Sequence, residues 1–305
     1  MPCPGLVVPR RFLARVVAVA AMALAACAPD APGPRTTPAT LDDLGDAIAI
    51  AAARPARIVS LNPTTTELLF AIGAGSRVVG RTTYDVWPVA ARAVPDLGPG
   101  IRPNVESVLA ARPDLVILYA GEDNRDAARR LRTAGVPTVS FRVDRIADFV
   151  RVTLALGAMT GDSMAARRTV DTVQATLARV RAATAGRPRP TVFWPLWDSP
   201  LLSVGGGSFL NELLEIAGAR NVYAELAQPS PAVSLEDLVK RDPDLVLTST
   251  ARRDRMRADA RWRSLRAVRD GRFLIFDSTI VNGPSARVGE SAVGLARLLH
   301  PGAIQ

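Results

Sequence analysis

Two glutamates occupy matching settings in this chain. Val105-Glu106-Ser107-Val108-Leu109, followed by Pro113-Asp114-Leu115-Val116-Ile117-Leu118, returns 130 residues later. The second copy is Leu235-Glu236-Asp237-Leu238-Val239, then Pro243-Asp244-Leu245-Val246-Leu247. Glu106 and Glu236 each read as the second residue of a helix. A carboxylate there favours the helix dipole by about 0.3–1 kcal/mol, which by itself accounts for both. A repeat-related pair also presents one exposed anion per copy on one face of the molecule. The pair does not suit glycoside hydrolysis, which needs its two carboxyls within about 10 Å of each other. Other reactive residues are sparse. Cys3 and Cys27 are the only cysteines and His300 the only histidine, so a Ser-His-Asp triad, a Cys-His pair and a His-rich or thiolate metal centre are all excluded. Gly205-Gly206-Gly207-Ser208 precedes a helix and can offer backbone N–H groups to an anion. No Gly-Lys-Ser/Thr follows it, and it reads as a tight turn that lets a ligand approach the backbone. No catalysis, metal or cofactor is expected.

The elements that carry these residues are also written twice. Glu67-Leu68-Leu69 with Gly73-Ala74-Gly75 is echoed by Glu212-Leu213-Leu214 with Gly218-Ala219. Each copy reads as strand, helix, strand, helix, strand. In the first, 57–61 is a strand ended by Asn62-Pro63, 64–72 a helix stopped by Gly73, and 78–80 a short strand. Asn104 caps a helix over 105–111, and the apolar run 114–119 suits a parallel sheet buried on both faces. In the second, 191–196 is a strand, 209–217 a helix, Ser234 a cap for 235–241, and 244–248 a strand. Between the copies, 146–159 and 162–185 read as helices broken near Gly161. The second has about 24 residues, roughly 36 Å at 1.5 Å per residue. The fold expected is α/β: two small lobes with parallel-type sheets flanked by helices, joined by a long backbone helix that allows little relative motion. The lobes span 42–145 and 189–305, with linking helices over 146–188.

The composition is globular, 48% hydrophobic and 22% charged over 305 residues. The formal charge is +9, but Arg10, Arg11 and Arg15 lie in the N-terminal segment. The remaining arginines are scattered without an aromatic-and-basic motif, so no nucleic-acid partner is expected. Those three arginines precede an apolar run over 16–26, too short for a span of about 20 residues. This is the layout of a secretory leader over 1–26. It ends Leu24-Ala25-Ala26-Cys27, which resembles a bacterial lipobox with Cys27 as the lipidated residue; cleavage as an ordinary signal peptide is the alternative. Residues 27–41, rich in Pro, Ala and Thr, read as a flexible tether.

The run from Arg57 to Leu69, Arg57-Ile58-Val59-Ser60-Leu61-Asn62-Pro63-Thr64-Thr65-Thr66-Glu67-Leu68-Leu69, resembles the opening of the helical-backbone substrate-binding proteins of ABC importers. Asp43-Leu44-Gly45, Pro103-Asn104-Val105-Glu106 with Pro113-Asp114-Leu115-Val116, the Gly205–207 turn and Gly218-Ala219-Arg220-Asn221-Val222 fit the same order over 42–300. Members carry cobalamin, ferric siderophores or haem. Val79-Gly80-Arg81-Thr82-Thr83-Tyr84, Trp87-Pro88 and Tyr119 are most similar to the cobalamin binders. The resemblance implies a lipid-anchored, periplasm-facing protein of the cell envelope, with a corrinoid or other metal chelate as ligand. Its partner would be a permease dimer with ATPase subunits, one of Glu106 and Glu236 docking on each permease subunit.

Ligands of open α/β sheets sit beyond the carboxyl ends of the strands. Asn62, Tyr84, Trp87 and Tyr119 stand there in the first lobe, and Trp197 with the turn of Gly206, Gly207 and Ser208 in the second. Flat rings suit a large ring ligand. Trp87 and Trp194 are equally suited to filling core or rim. An arginine placed like Arg102 contacts the anionic oxygens of ligands in siderophore-binding members, and an unpaired surface arginine is the equal alternative.

Overall fold

The computed structural model describes residues 41–48, 53–276 and 283–304. Cys27, the leader and all but the last residue of the tether lie outside them. Among the described residues, eight of the ten strands form two four-stranded parallel sheets. The first comprises β1 (Ile58–Leu61), β2 (Val78–Gly80), β3 (Leu115–Tyr119) and β4 (Thr138–Phe141), in the order β2-β1-β3-β4. The second comprises β5 (Thr191–Phe193), β8 (Arg220–Asn221), β9 (Leu245–Thr248) and β10 (Phe273–Ile275), in the order β8-β5-β9-β10. The same order read from the same relative strand shows that the sequence repeat is a structural one.

The local chemistry repeats as well. Asn104 Oδ1 accepts the Glu106 and Ser107 amides to start α2 (Val105–Ala110), and Ser234 Oγ accepts the Asp237 amide to start α7 (Leu235–Arg241). Both helices lead into a left-handed residue that is not glycine, Arg112 at φ 49° and Asp242 at φ 44°, directly before Pro113 and Pro243. That conformation costs roughly 1–2 kcal/mol, and its recurrence 130 residues apart shows that one turn geometry requires it. The next residue then ties the turn to the sheet. Asp114 accepts the Ala56 and Arg57 amides, and Asp244 accepts that of Thr191.

The other helices are α1 (Pro63–Ala71), α3 (Glu122–Thr133), α4 (Ile146–Thr160), α5 (Ser163–Thr184), α6 (Phe209–Ile216), α8 (Thr250–Ala258), α9 (Arg266–Arg269) and α10 (Val288–Leu299). One continuous core runs from Ile58, Leu68 and Phe141 through Phe149, Leu156, Val170 and Leu177 to Val192, Leu213 and Leu295. The long α5 therefore does not stand alone. It is flanked by α4 and α10, and apolar burial along it joins the lobes.

Two elements depart from expectation. The segment 191–196 is not one strand. It breaks after Phe193, and β6 (Pro195–Asp198) turns out to pair antiparallel with β7 (Leu201–Ser203). Pro195 has no N–H to continue the ladder. Each lobe also adds a fourth strand and a preceding helix (α3, β4 and α8, β10) that the repeat pattern did not reveal.

Asp42 ties the start of the first lobe to its edge strand. Its buried carboxylate accepts the Leu44, Asp46 and Ser140 amides and pairs with Arg132 at 2.6 Å. Asp42→Ala leaves three amide donors without their acceptor, while Arg132 keeps Asp46 and the Thr138 carbonyl, and should lower unfolding free energy by about 3 kcal/mol in urea denaturation. A loss below about 1 kcal/mol would show that this segment is not integral to the lobe.

Candidate functional site

The carboxyl ends of the first sheet build a rim from four loops. After β2, Asp85 is buried and holds its loop from inside. Its carboxylate accepts the Thr82 amide at 2.9 Å, the Thr82 hydroxyl at 2.8 Å and the Thr66 hydroxyl at 2.8 Å. Burial pushes the Asp85 carboxyl above the usual range, and the hydrogen bonds and Arg81 partly oppose the shift. With the anchor buried, the neighbouring rings face outward: Tyr84 is 61% exposed and Trp87 42%. Across the mouth of β1, Asn62 caps α1 by accepting the Thr64 amide. Its Nδ2 is buried with no partner among the described residues. At the end of β3 the Tyr119 hydroxyl donates to Asp144 at 3.0 Å. Burial and the adjacent carboxylate push the phenol up to about 12. The buried Asn124 donates to both the Tyr119 and Gly100 carbonyls, fastening the 100–102 loop to the same rim.

In the second lobe Trp197 projects from the β6–β7 hairpin, 60% exposed, its indole N–H donating to the Ser199 carbonyl. Arg252 holds that hairpin by donating to the Pro195 and Leu196 carbonyls. Trp194 resolves to core: it is buried and meets Phe276 edge-on.

Two readings are corrected. The glycine turn is shaped by the protein itself and not by an approaching ligand. A Cβ on Gly206 would lie 2.0 Å from the Ala224 carbonyl oxygen, and one on Gly207 2.1 Å from that of Ala227. The Gly205 and Gly206 amides donate to Pro229 and Leu226, the Ser208 amide donates to Gly205, and Ser208 Oγ caps α6. Three of the four amides of 205–208 are therefore committed within the protein. Arg102 is not unpaired: it forms a two-nitrogen contact with Asp123 Oδ1 at 2.8 and 2.6 Å, on the surface.

The lobes meet through two crossed pairs. Glu67 of the first lobe accepts Arg287 Nε at 2.7 Å and the Ser285 hydroxyl at 2.8 Å. Glu212 of the second accepts Arg145 Nε and, at 2.8 Å, the Ile146 amide. Glu67 and Glu212 are repeat equivalents, and Arg287 and Arg145 are the residues directly preceding α10 and α4. The Phe209 amide also donates to the Asp144 carbonyl, so the carboxyl ends of the two sheets face one another. The Arg287 guanidinium lies 4.7 Å over the Trp87 ring centroid. Glu67 and Glu212 had shown in the sequence as repeat partners, but the reach of each to the opposite lobe had no sequence signal. Asp85 and Arg287 had none at all.

Glu106 and Glu236 stand exposed in their first helical turns. Glu236 pairs with Lys240 along the helix at 2.8 Å, and among the described residues Glu106 has no ion pair. Among the described residues no group of three or more His, Cys, Asp or Glu can hold a metal ion, and no helix is long and apolar enough to cross a membrane.

A family model described as periplasmic binding protein matches residues 58–279. A cobalamin-binding protein of Halobacterium salinarum is 29% identical over 278 residues, covering 86% of this chain and 74% of that protein. An uncharacterised ABC transporter substrate-binding lipoprotein of Bacillus subtilis is 27% identical, covering 87% of this chain and 86% of its own. The crystal structure of a periplasmic haem-binding protein from Pseudomonas aeruginosa superposes with a TM-score of 0.72 at 26% identity, over 81% of this chain and 94% of its own.

Asp85→Ala strands both Thr82 donors in the interior, at about 1–3 kcal/mol for an unmatched buried group. Amide hydrogen exchange at Thr82 should rise at least about tenfold. Parental protection in the variant would show that the loop is held by other contacts.

Proposed function

Because the chain belongs to the periplasmic binding protein family, we propose that it captures a corrinoid between its two lobes and delivers it to an ABC permease. The observation that carries this reading is the aromatic rim. Tyr84, Trp87 and Trp197 keep large rings exposed at the facing ends of two sheets, in a chain whose relative of similar extent is named a cobalamin-binding protein. Exposed rings held by buried anchors suit a broad, partly apolar ring ligand, because their stacking surface is ordered before the ligand arrives. Tyr119 contributes its ring, its hydroxyl being committed to Asp144. No bond is made or broken; the work is binding and release.

Haem is the second reading, favoured by the structural likeness to a haem-binding protein. An absorbance spectrum of protein purified from medium supplemented with both compounds separates the two. A corrinoid spectrum and calorimetric binding of cyanocobalamin are expected. Tyr84→Ala and Trp197→Ala should each weaken that binding about threefold to tenfold, matching ~0.5–1.5 kcal/mol per aromatic contact. Co-purified haem would transfer the proposal to haem; binding of neither would remove both.

Glu106 and Glu236 are the docking pair in this proposal, one per lobe, suited to a two-fold permease. Reversing both to Arg should leave cyanocobalamin affinity unchanged and abolish uptake in cells with the cognate permease, with each single reversal partial. Normal uptake in the double variant would return them to helix-start charges. Cys27 is the lipid anchor, and Cys27→Ser should release the protein from the membrane fraction. Unchanged fractionation would refute the anchor.

A further inference from the structure

Arg287 stands immediately before α10 of the second lobe, yet its guanidinium covers a ring of the first. It lies 4.7 Å from the Trp87 centroid, inside the roughly 6 Å range of a cation–π contact. What holds it there is Glu67, whose Oε1 accepts both Arg287 Nε and the Ser285 hydroxyl. Glu67 is only 8% exposed, so this oxygen has little water to exchange for its two protein donors. Trp87 meanwhile keeps 42% of its surface open, enough for a second flat partner.

We propose that Glu67 is a positioning residue: it fixes Arg287 against Trp87, so the second lobe sets the orientation of a ligand platform carried by the first. The ligand half of this proposal rests on Trp87 belonging to the binding rim. The molecule supplies its own control. Glu212 and Arg145, the repeat equivalents, join the lobes in the opposite sense, and neither takes part in an aromatic contact. If Glu67 only fastened lobe to lobe, the two glutamates would be interchangeable in effect. If it aims the ring, only Glu67 governs Trp87. Ligand stacked on Trp87 would then also act on the residue that enters α10, without the lobes closing.

The test uses the full mature chain labelled with 5-fluorotryptophan. Its four tryptophans give fluorine resonances, and that of Trp87 is assigned by its loss in Trp87→Phe. Glu67→Gln should displace the Trp87 resonance and weaken binding of cyanocobalamin or hemin, the probes used, about fivefold, or ~1 kcal/mol. Glu212→Gln should leave both unchanged. Arg287→Lys keeps the charge opposite Glu67 but removes the flat guanidinium, and should also move the resonance, which covers the case of a Glu67 variant that fails to fold. An unmoved Trp87 resonance in Glu67→Gln and Arg287→Lys overturns the proposal. So do equal losses of affinity in Glu67→Gln and Glu212→Gln. A parent that binds neither probe removes the corrinoid and haem reading instead; the resonance then decides alone whether Glu67 sets the ring.

Discussion

The crossed carboxylate–guanidinium pairs are the constraint on which the site depends. Glu67 reaches from the first lobe to Arg287, and Glu212 from the second to Arg145. Each arginine directly precedes a helix that follows the last strand of its own lobe, so each lobe holds the exit of the other. A buried ion pair adds little net stability, since desolvation offsets most of the attraction. What it adds is position. The Glu67 pair is the drier of the two, with side chains 10% and 15% exposed, and a carboxylate so placed tolerates few alternative partners. Both pairs join the lobes where the carboxyl ends of the sheets oppose.

Around those pairs the aromatic rim is held by polar groups behind it. Asp85 ties residues 82–85 to the first turns of α1, and Asn124 ties the 100–102 loop to Tyr119. On the opposite lobe Arg252 pins the hairpin that carries Trp197. Behind Tyr84 and Trp87 the anchor is a buried carboxylate with its hydrogen bonds made. The rings are therefore ordered before any ligand binds, and the entropy of ordering them is not charged to binding. Continuous apolar packing along α4, α5 and α10 works in the same direction, because separating the lobes would expose a shared core.

The duplication explains why the outer surface differs in kind from the cleft. Glu106 and Glu236 arise from the same capped helix start and remain symmetric, exposed and chemically simple. The cleft has diverged. The first lobe offers the loop of Tyr84 and Trp87, the second a hairpin absent from the first. Under the proposed function, a surface that docks on a two-fold partner gains from symmetry, whereas a surface that grips one asymmetric ligand does not.

Local rules carried much of this in the sequence itself. The Asn104 and Ser234 caps, the Pro113 and Pro243 breaks and the apolar runs behind them follow from hydrogen-bonding and proline geometry within a few residues. They made the repeat, the parallel sheets and the two lobes legible. The rings at the strand ends followed from the general placement of sites in such sheets. The glycine turn and Arg102 misled, because their partners, the carbonyls of 224–229 and the carboxylate of Asp123, are distant in sequence and chosen by packing. Asp85 was unreadable for a related reason: a carboxylate in a polar loop shows its role only when burial closes around it. Above all, the pairing of Glu67 with Arg287 spans 220 positions. Nothing local relates two residues so far apart, and only a tertiary fold that turns the ends of two sheets toward each other could bring them to 2.7 Å.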